Sequence, residues 1–196
     1  MNRTKPIKSL SAIREIRKII RYRCYHKHYL LFALGLNLPI HYSDLLALRG
    51  KSILHNPQRR FRQNIIFTEG TTGEEHELVL NDAAIEAIRW YYKYNTRKLV
   101  AGYLFYSYRN KPTKKHISRM QASNLIAKWC KAVGLKGHYG VSSLQKTWGY
   151  HAYQQGYDLG NIAKILGRDK IGSTYEYLDL ERRDTDERDI YLQCRL

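Results

Sequence analysis

Cysteine is scarce in this chain and badly placed for cross-linking: Cys24, Cys130 and Cys194 are odd in number, widely spaced and free of any Cys-x-x-Cys pair. A disulfide framework and a cysteine zinc site are both excluded, and a reducing compartment is implied. Long apolar runs are missing as well. Met1-Asn2-Arg3-Thr4-Lys5-Pro6 holds no apolar core of a secretion signal, and Tyr29 to Ile40 is too short for a bilayer and contains Asn37. The expected location is the cytoplasm. Internal repeats, low-complexity stretches and linkers are also lacking, and 196 residues at 43% hydrophobic suffice for one substantial core, so a single domain is expected.

Acid is the other shortage. Seventeen Asp and Glu face 34 Lys and Arg, a formal net charge of +17 that raises the local concentration of polyanions and points to nucleic acid as the partner class. The imbalance is uneven: residues 1 to 63 carry 14 Lys or Arg and, as acids, only Glu15 and Asp44. That stretch is expected to face phosphate. Asp179 to Asp189, in contrast, alternates six acids with Arg182, Arg183 and Arg188, the pattern of a solvated helix or a protein-contacting tail.

Periodicity supplies the elements. Ile13, Ile16, Ile19 and Ile20 recur at helical spacing after Ser9 and Ser11, which predicts an amphipathic, basic first helix. An apolar helix is expected from about His28 to Asn37, then a short one from Ser43, with Leu45, Leu46 and Leu48 in the core. Lys51 to Leu54, Gln63 to Thr68 and His76 to Leu80 read as short strands, the last two joined by a hairpin through Glu69-Gly70-Thr71-Thr72-Gly73-Glu74. Asn81-Asp82 opens a helix with Ile85, Ile88 and Tyr92 inward, and Tyr103 to Tyr106 reads as a buried extended segment. Ser118 caps a helix that ends at Gly134, and further helices are expected near Ser143 to Gln155, Leu159 to Leu166 and Ser173 to Leu178.

Four segments then carry a resemblance. Gly35-Leu36-Asn37-Leu38-Pro39-Ile40-His41-Tyr42-Ser43-Asp44-Leu45-Leu46-Ala47-Leu48-Arg49, the turn Thr68 to Glu74, Gly140-Val141-Ser142-Ser143-Leu144-Gln145-Lys146-Thr147-Trp148-Gly149-Tyr150-His151, and Leu166-Gly167-Arg168 with Tyr177 nine residues on occur in this order. From Thr4 onward the chain resembles the catalytic domain of phage-type tyrosine recombinases (integrases). The resemblance implies an α+β, mostly helical fold, the DNA breaking-rejoining catalytic domain with a small antiparallel sheet. It divides the chain into a catalytic-like domain over 1–178 and a tail helix over 179–196, with no N-terminal core-binding domain. It also makes Ile117 to Leu135 similar to the helix that enters DNA in that family.

The family's reaction, as the resemblance implies it, is phosphoryl transfer: a tyrosine attacks a DNA phosphodiester, a 3′-phosphotyrosine forms and a 5′-hydroxyl leaves, with no cofactor. Tyr177 occupies the nucleophile column. The other five columns have changed: the two arginines to His41 and Gln145, the general-acid lysine to Thr71, and the histidines to Ser142 and Arg168. Two planar guanidiniums neutralise charge developing on phosphate, and neither an imidazole nor an amide supplies a fixed bidentate cation. Thr71 is no acid at neutral pH. Losing one such donor costs on the order of 100- to 1,000-fold, so losing both arginines and the acid leaves little activity. Arg168, Lys146 and Lys170 are the cations that remain nearby as substitutes.

The reading is a double-stranded-DNA-binding protein derived from a tyrosine recombinase, catalytically inactive, and a regulator or recombination accessory of a phage or other mobile element. Two alternatives stay open: an active recombinase using Tyr177, and a protein partner of itself or of an active recombinase through residues 179–196. Candidate phosphate contacts are Arg49, Arg59, Arg60, Arg62, Lys114, Lys115, Arg119, Lys146, Arg168 and Lys170. His26 with His28, and Ser142 with His138, support neither a metal site nor a hydrolase pair, because two histidines two apart on a helix diverge and no carboxylate is placed beside them.

Overall fold

The computed structural model describes residues 3–23, 25–53, 63–95, 102–106 and 115–181. Helix α1 (Leu10–Tyr22) starts at Ser9, whose side chain accepts the Ala12 N–H, and buries Ala12, Ile16 and Ile20 at helical spacing. Helix α2 (His26–Asn37) is buried along nearly its whole length, from Tyr29 to Gly35, because it is wrapped by α1 and by two helices farther along the chain, α4 (Asp82–Tyr94) and α6 (Val141–Gln154). It begins two residues earlier than its periodicity suggests, since Lys27 is itself buried. Such all-round burial explains why its sequence reads as continuously apolar rather than striped.

Helix α3 (Tyr42–Ala47) corrects one expectation. Its cap is His41 rather than Ser43, which sits inside the first turn. Leu45, Leu46 and Leu48 are buried as expected. The strand expected over Lys51 to Leu54 is a 3-10 turn over Gly50–Ser52, with Ser52 and Ile53 buried. Short β-branched runs do not distinguish a strand from a buried turn, and here Arg49 pairs with Tyr103 instead, in an isolated bridge.

Strands β1 (Asn64–Thr68) and β2 (Glu75–Val79) form the expected hairpin, antiparallel, in register from Asn64 opposite Val79 to Thr68 opposite Glu75. Gly73 takes φ +76° in its turn, a conformation that costs glycine nothing. Helix α4 (Asp82–Tyr94) is capped by Asn81 and buries Ala84, Ala87, Ile88, Tyr91 and Tyr92 against α2. Helix α5 (Arg119–Ala132) opens with a reciprocal capping box between Ser118 and Gln121.

Helices α6 (Val141–Gln154), α7 (Leu159–Ile165) and α8 (Ile171–Tyr177) are the last among the described residues, the first and last of the three starting two residues before their expected positions. Two close approaches fix α6. A Cβ on Gly35 would stand 2.5 Å from Leu144 Cδ1, and one on Gly149 would stand 2.6 Å from Leu178 Cδ2. Tyr153, Ile162, Leu178 and Leu180 form a second small core beneath α8. Packing therefore continues past residue 178 to Leu180, beyond the expected domain boundary. Of the tail helix expected over 179–196, residues 179–181 are a turn and irregular chain rather than helix, and residues 182–196 lie outside the described residues. Among the described residues no helix is long and apolar enough to cross a membrane.

Candidate active site

Tyr177 ends α8, and its hydroxyl donates to Gln145 Oε1 on α6 at 2.9 Å. Gln145 is only 7% exposed, so its amide oxygen meets this phenol rather than water. Two cations flank the ring: the Arg168 guanidinium lies 4.3 Å and the Lys146 ammonium 4.5 Å from its centroid. Neither cation is free. Arg168 also donates to the carbonyl and hydroxyl of Ser173, and Lys146, 5% exposed, donates to the Thr4 carbonyl at 2.6 Å.

Burial pushes the Tyr177 phenol above its ordinary pKa, and the neighbouring Arg168 charge opposes that shift without reversing it. Desolvation also lowers the Lys146 amine, helped by Arg3 and Arg168 and opposed by Asp179.

Gln145 also lines a cavity of about 230 Å³ between the hairpin, α3, α6 and α7. His41 stands on its wall. Its Nδ1 is 2.6 Å from Ser43 Oγ, and desolvation lowers its pKa, with Arg119 acting in the same sense and Asp44 and Glu69 against. The charges in this cavity are mixed: Lys164, Asp44, Glu69, His41 and His76 all line it. Asp44 is buried and accepts from the Gly70 N–H, fastening the hairpin to α3. Glu69 holds the Thr72 hydroxyl at 2.7 Å and lies 3.4 Å from His76 Nε2, and hydrogen bonds from Thr72, Thr71 and His76 lower its pKa.

The six columns thus separate. Gln145, Arg168 and Tyr177 meet, and His41 shares the cavity with Gln145. Thr71 is exposed on the hairpin turn with its hydroxyl on Glu69, and Ser142 lies half-buried on the first turn of α6, outside the contacts around Tyr177 among the described residues. Sequence reasoning missed Glu69, His76 and Lys164, and saw Asp44 only as a helix-start residue. Nothing in their spacing places them in one cavity.

Of the candidate phosphate contacts, Lys115, Arg119 and Lys170 are exposed, and Arg119 lies over the Tyr42 ring at 4.8 Å. Arg49 is half-buried, 4.1 Å over the Tyr103 ring. Lys146 and Arg168 are committed inside, as above. Arg59, Arg60, Arg62 and Lys114 lie outside the described residues. Among the described residues no group of His, Cys, Asp or Glu is arranged to hold a metal ion.

Comparison with known proteins gives one consistent result. A family model, the phage integrase family, matches residues 10–183. A probable integrase/recombinase of Bacillus subtilis (strain 168), YoeC, is 29% identical over 185 residues, covering 94% of each chain. Among solved structures, the XerA recombinase superposes with a TM-score of 0.73 at 17% identity, over 98% of this chain and 66% of that one. A Tn1549 transposon integrase in complex with circular intermediate DNA gives 0.68 at 15%, over 100% and 67%. The XerH site-specific recombinase bound to palindromic difH substrate gives 0.68 at 14%, and this chain spans 51% of its length.

Proposed function

This chain belongs to the phage integrase family, and we propose that it binds duplex DNA through the family fold while its strand-transfer centre is silent, acting as a regulator or recombination accessory of a mobile element. The observation that carries the proposal is the Tyr177–Gln145 hydrogen bond, flanked by two cations already bonded to protein oxygens. Phosphoryl transfer relies on fixed donors aimed at the phosphate oxygens. Around Tyr177 the neutral amide takes the phenol, Lys146 is spent on Thr4 and Arg168 on Ser173. The adjoining cavity also carries the carboxylates Asp44 and Glu69, which repel a phosphate.

DNA affinity needs none of this chemistry, because phosphate contacts and groove contacts come from other side chains. Support comes from the charge of +17, from the exposed Lys115, Arg119 and Lys170, and from α5, whose sequence from Arg119 to Ala132 contains no acid. A solved relative at comparable fold similarity is a complex with DNA. Cytoplasmic residence fits such a role.

The test has two arms. Titration with duplex DNA is expected to show affinity falling by about 1,000-fold or more between roughly 50 and 200 mM salt, as bound counterions are displaced. A nicked suicide duplex is expected to trap no denaturation-resistant adduct. Salt-independent binding would sink the DNA reading, and an adduct through Tyr177 would sink the silence. The second reading, an active recombinase, is favoured by one feature: Arg168 and Lys146 remain within 5 Å of the Tyr177 ring, at 4.3 and 4.5 Å.

A further inference from the structure

Arg3 to Lys8 form neither helix nor strand, yet this short segment is fastened to the C-terminal third of the chain along its length. Its backbone is held first. The Lys5 N–H donates to the His138 carbonyl at 2.8 Å, the Ile7 N–H donates to Thr147 Oγ1 at 2.8 Å, and His151 Nε2 lies 3.0 Å from the Ile7 carbonyl. Ile7 is fully buried. The Thr4 carbonyl accepts the Lys146 ammonium, the same ammonium that stands over Tyr177.

Its side chains then reach the helix that bears Tyr177 and the segment that leaves it. Arg3 pairs with Glu176 at 3.0 Å, and Lys8 lies 3.5 Å from Asp179 and 3.9 Å from Glu181. Asp179 takes φ +55°, and Leu180, between those two acids, is buried. Lys8 thus lies against both ends of a strained step in the chain.

We propose that residues 3–8 are a latch that holds α8 and the segment after it in place and keeps the Lys146 ammonium on a protein carbonyl instead of a DNA phosphate. The two halves of the latch differ in strength. The backbone bonds and Ile7 are buried, whereas the Arg3 and Lys8 pairs are on the surface, individually weak and screened by salt. A polyanion competes for the same two cations, so duplex DNA is the agent expected to loosen the strap. That last step rests on the proposed DNA binding; the latch itself does not.

Two readouts on the full chain test it: hydrogen exchange of α8 and residues 178–181, and acylation of Lys146 by an amine-reactive ester, both followed by mass spectrometry. In Arg3→Glu/Lys8→Glu, exchange across α8 and acylation of Lys146 should rise about five- to thirtyfold, with α2 and α4 unchanged. Changing the partners as well, with Glu176→Lys, Glu181→Lys and Asp179→Asn, which tolerates φ +55°, should bring both back to within about twofold of the unaltered chain. Unchanged rates, equal acceleration in α2 and α4, or failure of the combined set to restore protection would each overturn the latch. Adding duplex DNA to the unaltered chain should accelerate exchange of residues 178–181 while slowing Lys146 acylation, because the released ammonium moves onto phosphate. Bound DNA that leaves exchange of residues 178–181 unchanged removes DNA as the loosening agent. No DNA binding at all defeats the proposed function, while the charge variants still decide the latch.

Discussion

Tyr177→Phe removes one oxygen from a largely buried contact between α8 and α6. The lost bond is the 2.9 Å donation to Gln145 Oε1, and Gln145 is 7% exposed, so its acceptor is left buried and unpaired. An orphaned buried polar group costs about 1–3 kcal/mol. The ring itself stays, and with it the packing in the small core under α8 and most of the attraction to Arg168 and Lys146. We therefore expect a net destabilisation of about 1–2 kcal/mol, a fall in Tm of roughly 2–8 °C for a domain of this size. Gln145→Leu removes the other partner, and the double variant should be less destabilised than the sum of the singles by about 1 kcal/mol. Thermal and urea unfolding supply the cycle, and duplex titration should give an affinity within about twofold of the unaltered chain. A nucleophile behaves the other way, leaving stability untouched by the exchange and losing a covalent DNA adduct. Finding that pattern would refute the assignment of Tyr177 as a clasp between α8 and α6.

Gly149→Ala drives a methyl to 2.6 Å from Leu178 Cδ2, so α8 must shift or Leu178 must leave its rotamer; we expect a loss of about 1–3 kcal/mol by chemical unfolding, with exchange rising first in α8. Acid should unfold the chain partly through His28, whose imidazole is held down to about 4 by burial and, less, by the Lys27 charge. The unfolded chain takes up that proton from about pH 6.5 and the folded chain only near 4, so the contribution is fully present above about 6.5 and lost as pH falls across that window. The loss should approach about 2–3 kcal/mol, and His28→Leu should flatten the pH dependence of stability between those limits.

What could be read from the sequence and what could not differ in range. Ser118 with Gln121, Asn81 ahead of α4, Gly73 in the hairpin and the isoleucines of α1 are each decided within a few residues, and all appear where the pattern puts them. The errors are local ambiguities. A β-branched stretch at Lys51 to Leu54 suited a strand equally well, and His41 took the cap because its ring reaches the Ser43 N–H from outside the helix. The site is another matter. Tyr177 meets Gln145 across 32 residues, and Lys146 meets Thr4 across 142, pairings for which a single sequence carries no local signal.

That difference in range also means that the fold does not rest on the chemistry. Caps, periodicity and close approaches such as Gly35 to Leu144 specify the helices and their crossings, and none of them depends on the identity of residue 41, 71, 142 or 145. Catalysis would depend on several of those positions converging on one phosphate, which is why the proposed silence follows from so few substitutions. The polar groups left behind must still be satisfied in a closed interior. Here Gln145 is paired with Tyr177, Lys146 with Thr4 and one terminal nitrogen of Arg168 with Ser173, while Arg168 Nε stays buried without a partner among the described residues. Replacing Gln145 by arginine alone would therefore not rebuild a phosphate seat, because the phenol, the strap and Ser173 hold the neighbouring groups in their present pairings.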